Sequence, residues 1–473
     1  MVFSSIAFLF YFLPALIIIY YVAPQKLKNG VMILASMVFF AWGEIRFIPV
    51  MLALSVVDFI CGRLMDRFEE NSSKRRLFLL IDIGANLAVL FFFKYTNFFV
   101  ANINLVFGMN FLIPNIKLPI GVSFNTFQSI SYVLDVYRGV TKSEKKYYDY
   151  LCYTTLFPQI IAGPIVRYVT VEQDLDDHQL TPDSFSQGMR RFLIGLGKKV
   201  LIANNVGLLW DKVASGQAGE PTVLLYWLGI IAFTFQLYFD FSGYSDMAIG
   251  LARIFGLTFD ENFNHPYISR SITEFWRRWH ITLGSWFRDY VYIPLGGNRK
   301  GNVRQFFNIL IVWALTGFWH GASWNFVIWG LYFSAFLLLE KFLFPKFWKH
   351  VPRILQHLYT IIIVMISWVI FSAEDLSSVS AGDYIAGMFG FGGLPAVNNQ
   401  ALFQLVQYGA VFLIAAYLST PHFQNWVNKT EKPENSIHKI SWGITATGYI
   451  LVFLSCVAFI VNSSYNPFLY FRF

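Results

Sequence analysis

Along this 473-residue chain, polar residues are confined to the gaps between long apolar blocks. The plainest blocks are Phe3–Ala23, Phe47–Cys61, Val223–Tyr238, Val411–Ser419 with its flanks, and Trp442–Val461. A helix needs roughly 20 apolar residues to cross a ~30 Å hydrocarbon core, so the pattern predicts an all-α, polytopic membrane protein. The blocks amount to about 10 to 13 spans, the short or interrupted ones reading as re-entrant or interfacial helices. The longest polar stretches, Arg167–Ser186 and Asn425–Ser436, are too short to hold a core of their own. A single transmembrane domain over residues 1–473 is therefore expected. No short repeat is visible, nor a pair of matching broken helices like those of many transporters.

Polarity gathers in the middle of the chain. Between Tyr238 and Asn325 come "YFDFSGYSDMAIG", "SITEFWRRWHITLGSWFRDYVYIPLGGNRKG" and "TGFWHGASWN", so residues 238–330 are where chemistry is expected. In the third block, His320 lies in an apolar run bounded by Arg304 and Lys341. That run is too long for one plain span and short for two, so the chain must break or fold back there. Gly317, Gly321 and Ser323 would allow the bend, or the close approach of a second helix. At ~1.5 Å per residue, His320 lies up to ~24 Å from Arg304. An ionisable side chain at that depth faces a cavity or a partner, not lipid. A neutral histidine hydrogen-bonded in the core would satisfy this. So would a general base, since an imidazole with an ordinary pKa near ~6.5 can take a proton from an alcohol.

His280 sits in the second block. At helical spacing Phe275, Trp279 and Thr282 share a side, but Arg277, Arg278, Ile281 and Arg288 do not sort into polar and apolar faces. A simple solvated amphipathic helix fits poorly. Trp276, Trp279, Trp286, Tyr290 and Tyr292 suit a membrane interface, with Arg277, Arg278, Arg288, Arg299, Lys300 and Arg304 reaching towards the cytoplasmic leaflet. The same residues would make a basic, aromatic-lined entrance for an anionic donor such as a nucleotide-bearing cofactor. Asp240 and Asp246 read as hydrogen-bonded anchors more readily than as proton-relay groups. The cluster Arg190, Arg191, Lys198 and Lys199 has no assignment from pattern alone.

Composition narrows the remaining classes. Only 14% of residues are charged, against about 25% in soluble domains. The first apolar run has no preceding basic residue and no cleavage site, so it is expected to be retained with the amino terminus outside. Lys26, Lys28, Arg63, Arg67, Lys74, Arg75 and Arg76 then fall on the cytoplasmic side. Short basic loops facing anionic lipid account for the net charge of +8, and no continuous basic surface points to nucleic acid. Cys61, Cys152 and Cys456 are far apart and read as packing residues. The two histidines lack HxxxH or HExxH spacing, so no metal site is expected, and no GxSxG elbow is present.

"WRRWHITLGSWFRDYVYIPLGGNR" followed by "TGFWHGASWNFVIWG" strongly resembles the signature of the membrane-bound O-acyltransferase family, in its bacterial alginate O-acetyltransferase-like branch. "MVFSSIAFLFYFLP", "LPIGVSFNTFQSISYVLDVYRG", "FPQIIAGPIVRY", "QLYFDFSGYSDMAIGLARIFG" and the closing "NPFLYFRF" extend the likeness over nearly the whole chain. One departure is Ser372, in "WVIFSAEDL", where an arginine is expected in many relatives.

The resemblance implies a helical bundle around a central funnel or tunnel, in a bacterial inner membrane. It implies transfer of an acyl group from a cytoplasmic donor, acetyl-CoA as substrate with no tightly bound cofactor, towards an outer acceptor. His320 carries the position of the essential histidine and His280 a second functional one. Trp276, Arg277, Arg278, Trp279, Arg288, Trp319, Asp240 and Asp246 are candidates to bind donor or substrate, and Ser323, Trp324 and Asn325 to stabilise an oxyanion. An extracytoplasmic or membrane-anchored partner is expected to complete transfer to a polysaccharide. Alternatives are D-alanyl transfer to teichoic acid from a carrier-protein thioester, a transporter or flippase using Asp240, Asp246, His280 and His320 as a path, and a non-enzymatic scaffold.

Overall fold

The computed structural model describes residues 1–160, 163–344, 347–430, 437–462 and 468–469. Residues 431–436 of the polar Asn425–Ser436 stretch, and all but two residues of "NPFLYFRF", lie outside them. Among the described residues every regular element is helical, and eight helical runs are long and apolar enough to cross a membrane. The protein is thus an all-α, multi-pass membrane protein. The eight are fewer than the spans expected because neighbouring blocks join. Gln25–Arg67 is one run containing Lys28–Glu44 and Ile48–Arg67, separated by a single 3-10 turn. Phe8–Val22 is too short to count, and Asn302–His320 carries Arg304, Gln305 and Asn308 near its start.

The chain groups into two compact units. The first comprises Met1–Phe192, Ser245–Glu261 and Arg288–Tyr290. Its core includes Phe3, Phe8, Phe39 and Phe157, with Phe3 and Phe8 ring centroids 5.0 Å apart and Phe39 and Phe157 5.3 Å apart. Some of the polar groups its helices carry inward are well answered, although both polar atoms of the buried Gln128 side chain have no hydrogen-bond partner among the described residues. Asp58, fully buried in Ile48–Arg67, accepts hydrogen bonds from Asn86 Nδ2 at 2.8 Å, Ser129 Oγ at 2.6 Å and Tyr150 OH at 3.0 Å. Arg191 reaches both Asp246 at 2.7 Å and Glu261 at 2.5 Å. Cys61 and Cys152 are buried free thiols here, as Cys456 is in the second unit, in keeping with a packing role.

The second unit comprises Leu193–Tyr244, Asn262–Phe287 and Val291–Phe473. At its centre, Asn302–His320 and Trp324–Leu338 form a helical hairpin whose chain break falls where the glycines place it. Gly321 and Ser323 are extended, at φ −160° and −150°. A Cβ on Gly317 would collide with the carbonyl oxygen of Phe326, and one on Gly330 with that of Trp313, so the two backbones touch. The "WRRWH" block divides into Ile272–Arg278 and Ile281–Phe287. His280 marks the division at φ +45°, which explains why no single helical face sorted its side chains. Ser271 Oγ caps the first piece by accepting the Glu274 N–H at 3.0 Å. The Glu340 carboxylate accepts the N–H groups of Ile272 and Thr273 at 2.6 and 2.9 Å, anions being favoured at a helix N-terminus.

Gly330→Ala is expected to destabilise the protein by about 1–3 kcal/mol through overpacking. Gly409→Ala, in a helix where an added Cβ meets nothing within 4 Å, should be neutral or slightly stabilising. Thermal unfolding of both variants in one detergent separates the two effects.

Candidate active site

His320 is the last residue of its helix, and its ring is held by aromatic neighbours. Centroids of Trp319, Trp329 and Phe371 lie at 4.9, 5.0 and 5.5 Å. The imidazole, only 7% exposed, faces a small cavity of about 20 Å³ that Asp240, Phe241, Trp279, Trp329 and Trp368 help to line. Such a volume suits a water-sized occupant. Phe468 and Leu469 close one side. The walls are mostly aromatic, with Asp240 and His320 as the ionisable lining groups and with lining indoles that include Trp329, whose N–H is buried. Among the described residues nothing accepts that N–H.

Asp240 reaches the cavity from Val223–Ile254 and is itself anchored. It pairs with Lys199, both side chains being no more than 5% exposed, and accepts the Leu469 N–H at 2.7 Å. Of the unassigned basic cluster, then, Lys199 serves Asp240 and Arg191 serves Asp246. The latter pair belongs to the first unit.

His280 forms a second polar centre. Asn262 Oδ1 accepts from Thr282 N–H at 3.3 Å and Thr282 Oγ at 3.0 Å, which identifies it as the carbonyl oxygen of the amide. His280 Nδ1, 3.0 Å from the same atom, must therefore donate, leaving Nε2 as the ring's acceptor. Burial lowers the His280 pKa to about 3, so this imidazole is neutral at working pH. Trp319 lies between the histidines, its centroid 6.3 Å from His280 and 4.9 Å from His320. Phe241 meets His280 edge-on at 4.7 Å and also lines the His320 cavity.

The remaining candidates are placed differently. Trp276 packs against Trp313 and Phe333 at 4.7 and 4.8 Å, behind Trp329. Arg277 is exposed, Arg278 is engaged by Glu274 at 3.0 Å, and Arg288 by Asp289 at 2.6 Å. Asn325 donates to the Phe371 carbonyl at 3.1 Å. Ser323 precedes its helix without a side-chain cap bond, and Trp324, 59% exposed, points out of the core. Neither Ser323 nor Trp324 lines the cavity. Ser372 is buried and donates to the Trp368 carbonyl at 2.8 Å. No group of three or more potential metal ligands is found among the described residues. Trp329, Trp368 and Phe371, three of the lining residues, were not singled out by sequence reading because each lies inside an apolar run.

His320 thus stands beside the Trp329 indole at a shared buried cavity in a multi-pass helical protein. The profile of the membrane-bound O-acyltransferase family, MBOAT, matches residues 142–379, and the chain belongs to that family: it is an O-acyltransferase. It is 38% identical to the "Probable alginate O-acetylase AlgI" of Pseudomonas putida over the whole of both chains. It is 32% identical to the peptidoglycan O-acetyltransferase of Helicobacter pylori, over all of this chain and 98% of that one. Identity to the teichoic acid D-alanyltransferase of Bacillus subtilis is 30%, over 52% of this chain and 65% of that one.

Replacing one partner of the Lys199–Asp240 pair leaves the other buried and charged. Lys199→Met is expected to cost about 3–5 kcal/mol, and the double variant with Asp240→Asn to recover a large part of that. A double-mutant cycle of detergent-solubilised unfolding measures the coupling.

Proposed function

We propose that the protein moves an acetyl group from cytoplasmic acetyl-CoA to a hydroxyl on the outer side of a bacterial inner membrane, for O-acetylation of a polysaccharide. His320 is the general base. Its imidazole takes the acceptor hydroxyl proton as the oxygen attacks the thioester carbonyl. The tetrahedral intermediate then expels the thiol sulfur, which recovers the proton from the imidazolium, so that ester and free CoA thiol leave the site. The Trp329 N–H serves the developing oxyanion in place of the candidates near Ser323. His280, neutral and fixed by Asn262, orients Trp319 and Phe241 and takes no charge. The acceptor that meets His320 is either the polysaccharide or a hydroxyl on an extracytoplasmic or membrane-anchored partner that completes the transfer.

The observation that carries this reading is that the His320 and Trp329 rings line one cavity, the Trp329 N–H being buried with no acceptor among the described residues. The relatives support the acetyl group: likeness to the alginate and peptidoglycan acetylating proteins covers the whole chain, whereas likeness to the D-alanyltransferase covers about half. D-alanyl transfer from a carrier-protein thioester is the second reading and shares the same base.

Purified protein in nanodiscs, with radiolabelled acetyl-CoA and the membrane partner supplied, is expected to cleave the thioester and transfer label. His320→Ala should abolish turnover while eluting as folded protein. Loss of folded protein alongside activity would leave no case for a catalytic histidine. Label transfer from a D-alanyl carrier protein but not from acetyl-CoA would establish the second reading.

Trp329→Phe keeps the ring and removes the donor, and is expected to lower kcat by about 10²–10³ with little change in KM. Wild-type kcat in Trp329→Phe would remove the indole from the mechanism.

A further inference from the structure

The second unit contains another cavity, of about 560 Å³, that no step of the proposed reaction uses. It lies against Val223–Ile254, Arg353–Phe371 and the end of Asn399–Leu418. Arg353, His357, Ile361 and Met365, spaced four apart on one helix face, line its length. At ~1.5 Å per residue this stripe runs about 18 Å, close to the ~15 Å hydrocarbon depth of a single leaflet. The chemistry changes along it. Arg353 and Arg270 stand at one end, and His357 Nδ1 lies 3.1 Å from the Ser269 carbonyl oxygen, which holds the Arg270 segment to that end. Ile361 and Met365, facing Ile231 and Phe235, make the rest apolar. Both arginines are exposed, and among the described residues no carboxylate pairs with either guanidinium.

We propose that this cavity binds an anionic glycerophospholipid, with its phosphate between Arg270 and Arg353 and one acyl chain along the His357–Met365 stripe. Guanidinium groups bind phosphate oxygens through paired N–H bonds. A zwitterionic headgroup would bring its own cation beside two others, whereas a phosphatidylglycerol headgroup brings none. The length of the stripe excludes a free anion as the natural occupant, because an anion leaves the apolar part unfilled. Tyr267 forms part of the wall and packs on Trp279, at 6.0 Å, which in turn lines the His320 cavity. A bound lipid would therefore buttress the aromatic wall of the active site from behind.

The test is native mass spectrometry of the full chain in neutral detergent, titrated separately with dioleoyl-phosphatidylglycerol, dioleoyl-phosphatidylcholine and glycerol phosphate. Phosphatidylglycerol is expected to be retained about tenfold more tightly than phosphatidylcholine. Arg270→Gln with Arg353→Gln should erase the preference. Ile361→Trp, which fills the stripe and keeps both arginines, should abolish retention of either lipid. Equal retention of the two lipids by the wild type overturns the proposal. So does lipid binding indifferent to Ile361→Trp, a readout that decides the matter even if the double arginine variant fails to fold. Glycerol phosphate bound as tightly as the lipid would show an anion site only and equally overturn it.

Discussion

The ion pair of Lys199 and Asp240 brings together the unassigned basic cluster and the "YFDFSGYSD" block, at a point where both side chains are buried. Taking either ion alone into such surroundings costs several kcal/mol, and only a close opposite charge with further hydrogen bonds offsets that. The pair therefore fixes two helices relative to each other, Pro182–Ala214 and Val223–Ile254. Asp240, once placed, holds the Leu469 amide and with it one side of the cavity at His320. The same requirement recurs in the other unit. Arg191 there spans two carboxylates, and Asp58 collects three donors where a cation is not at hand.

Around His320 the constraint is different. The general base proposed for His320 works best on an alcohol when water is kept from competing and the ring is held in one orientation. Aromatic walls meet both needs: rings at 4.9–5.5 Å, each steeply inclined to the imidazole, limit solvent and leave it little room to turn. Polar atoms are correspondingly few, so each matters. His280 shows the contrast, since its orientation is set by a hydrogen bond to Asn262 and its neutrality by burial. One histidine faces the cavity and the other stands behind its wall.

Much of this was legible in the sequence because membranes restrict what a chain can do. Glycines beside a histidine in an apolar run foretold the break at residues 321–323 and the close helix contact at Gly317. The division at His280 was foreshadowed by side chains that fitted no single helical face. What escaped reading depends on direction around a helix. Trp324 and Trp329 lie on one helix barely more than a turn apart, yet the first is 59% exposed and the second 1%. In a hydrocarbon solvent, apolar residues facing lipid and facing the core look alike, so hydrophobicity could not tell them apart. Nor could it pair Lys199 with Asp240 or Arg191 with Asp246, since each choice is made by tertiary placement.

The bond from Leu469 to Asp240 joins positions 229 residues apart. During synthesis the chain emerges from its amino end at about 5–20 residues per second. Both histidines, their indole neighbours and the Lys199 partner are therefore inserted well before the residues that close the cavity. Until Phe468 and Leu469 arrive, a nascent protein has His320 in place but lacks one wall of the cavity. The cavity is thus closed only after a long further stretch of chain has followed His320 into the membrane.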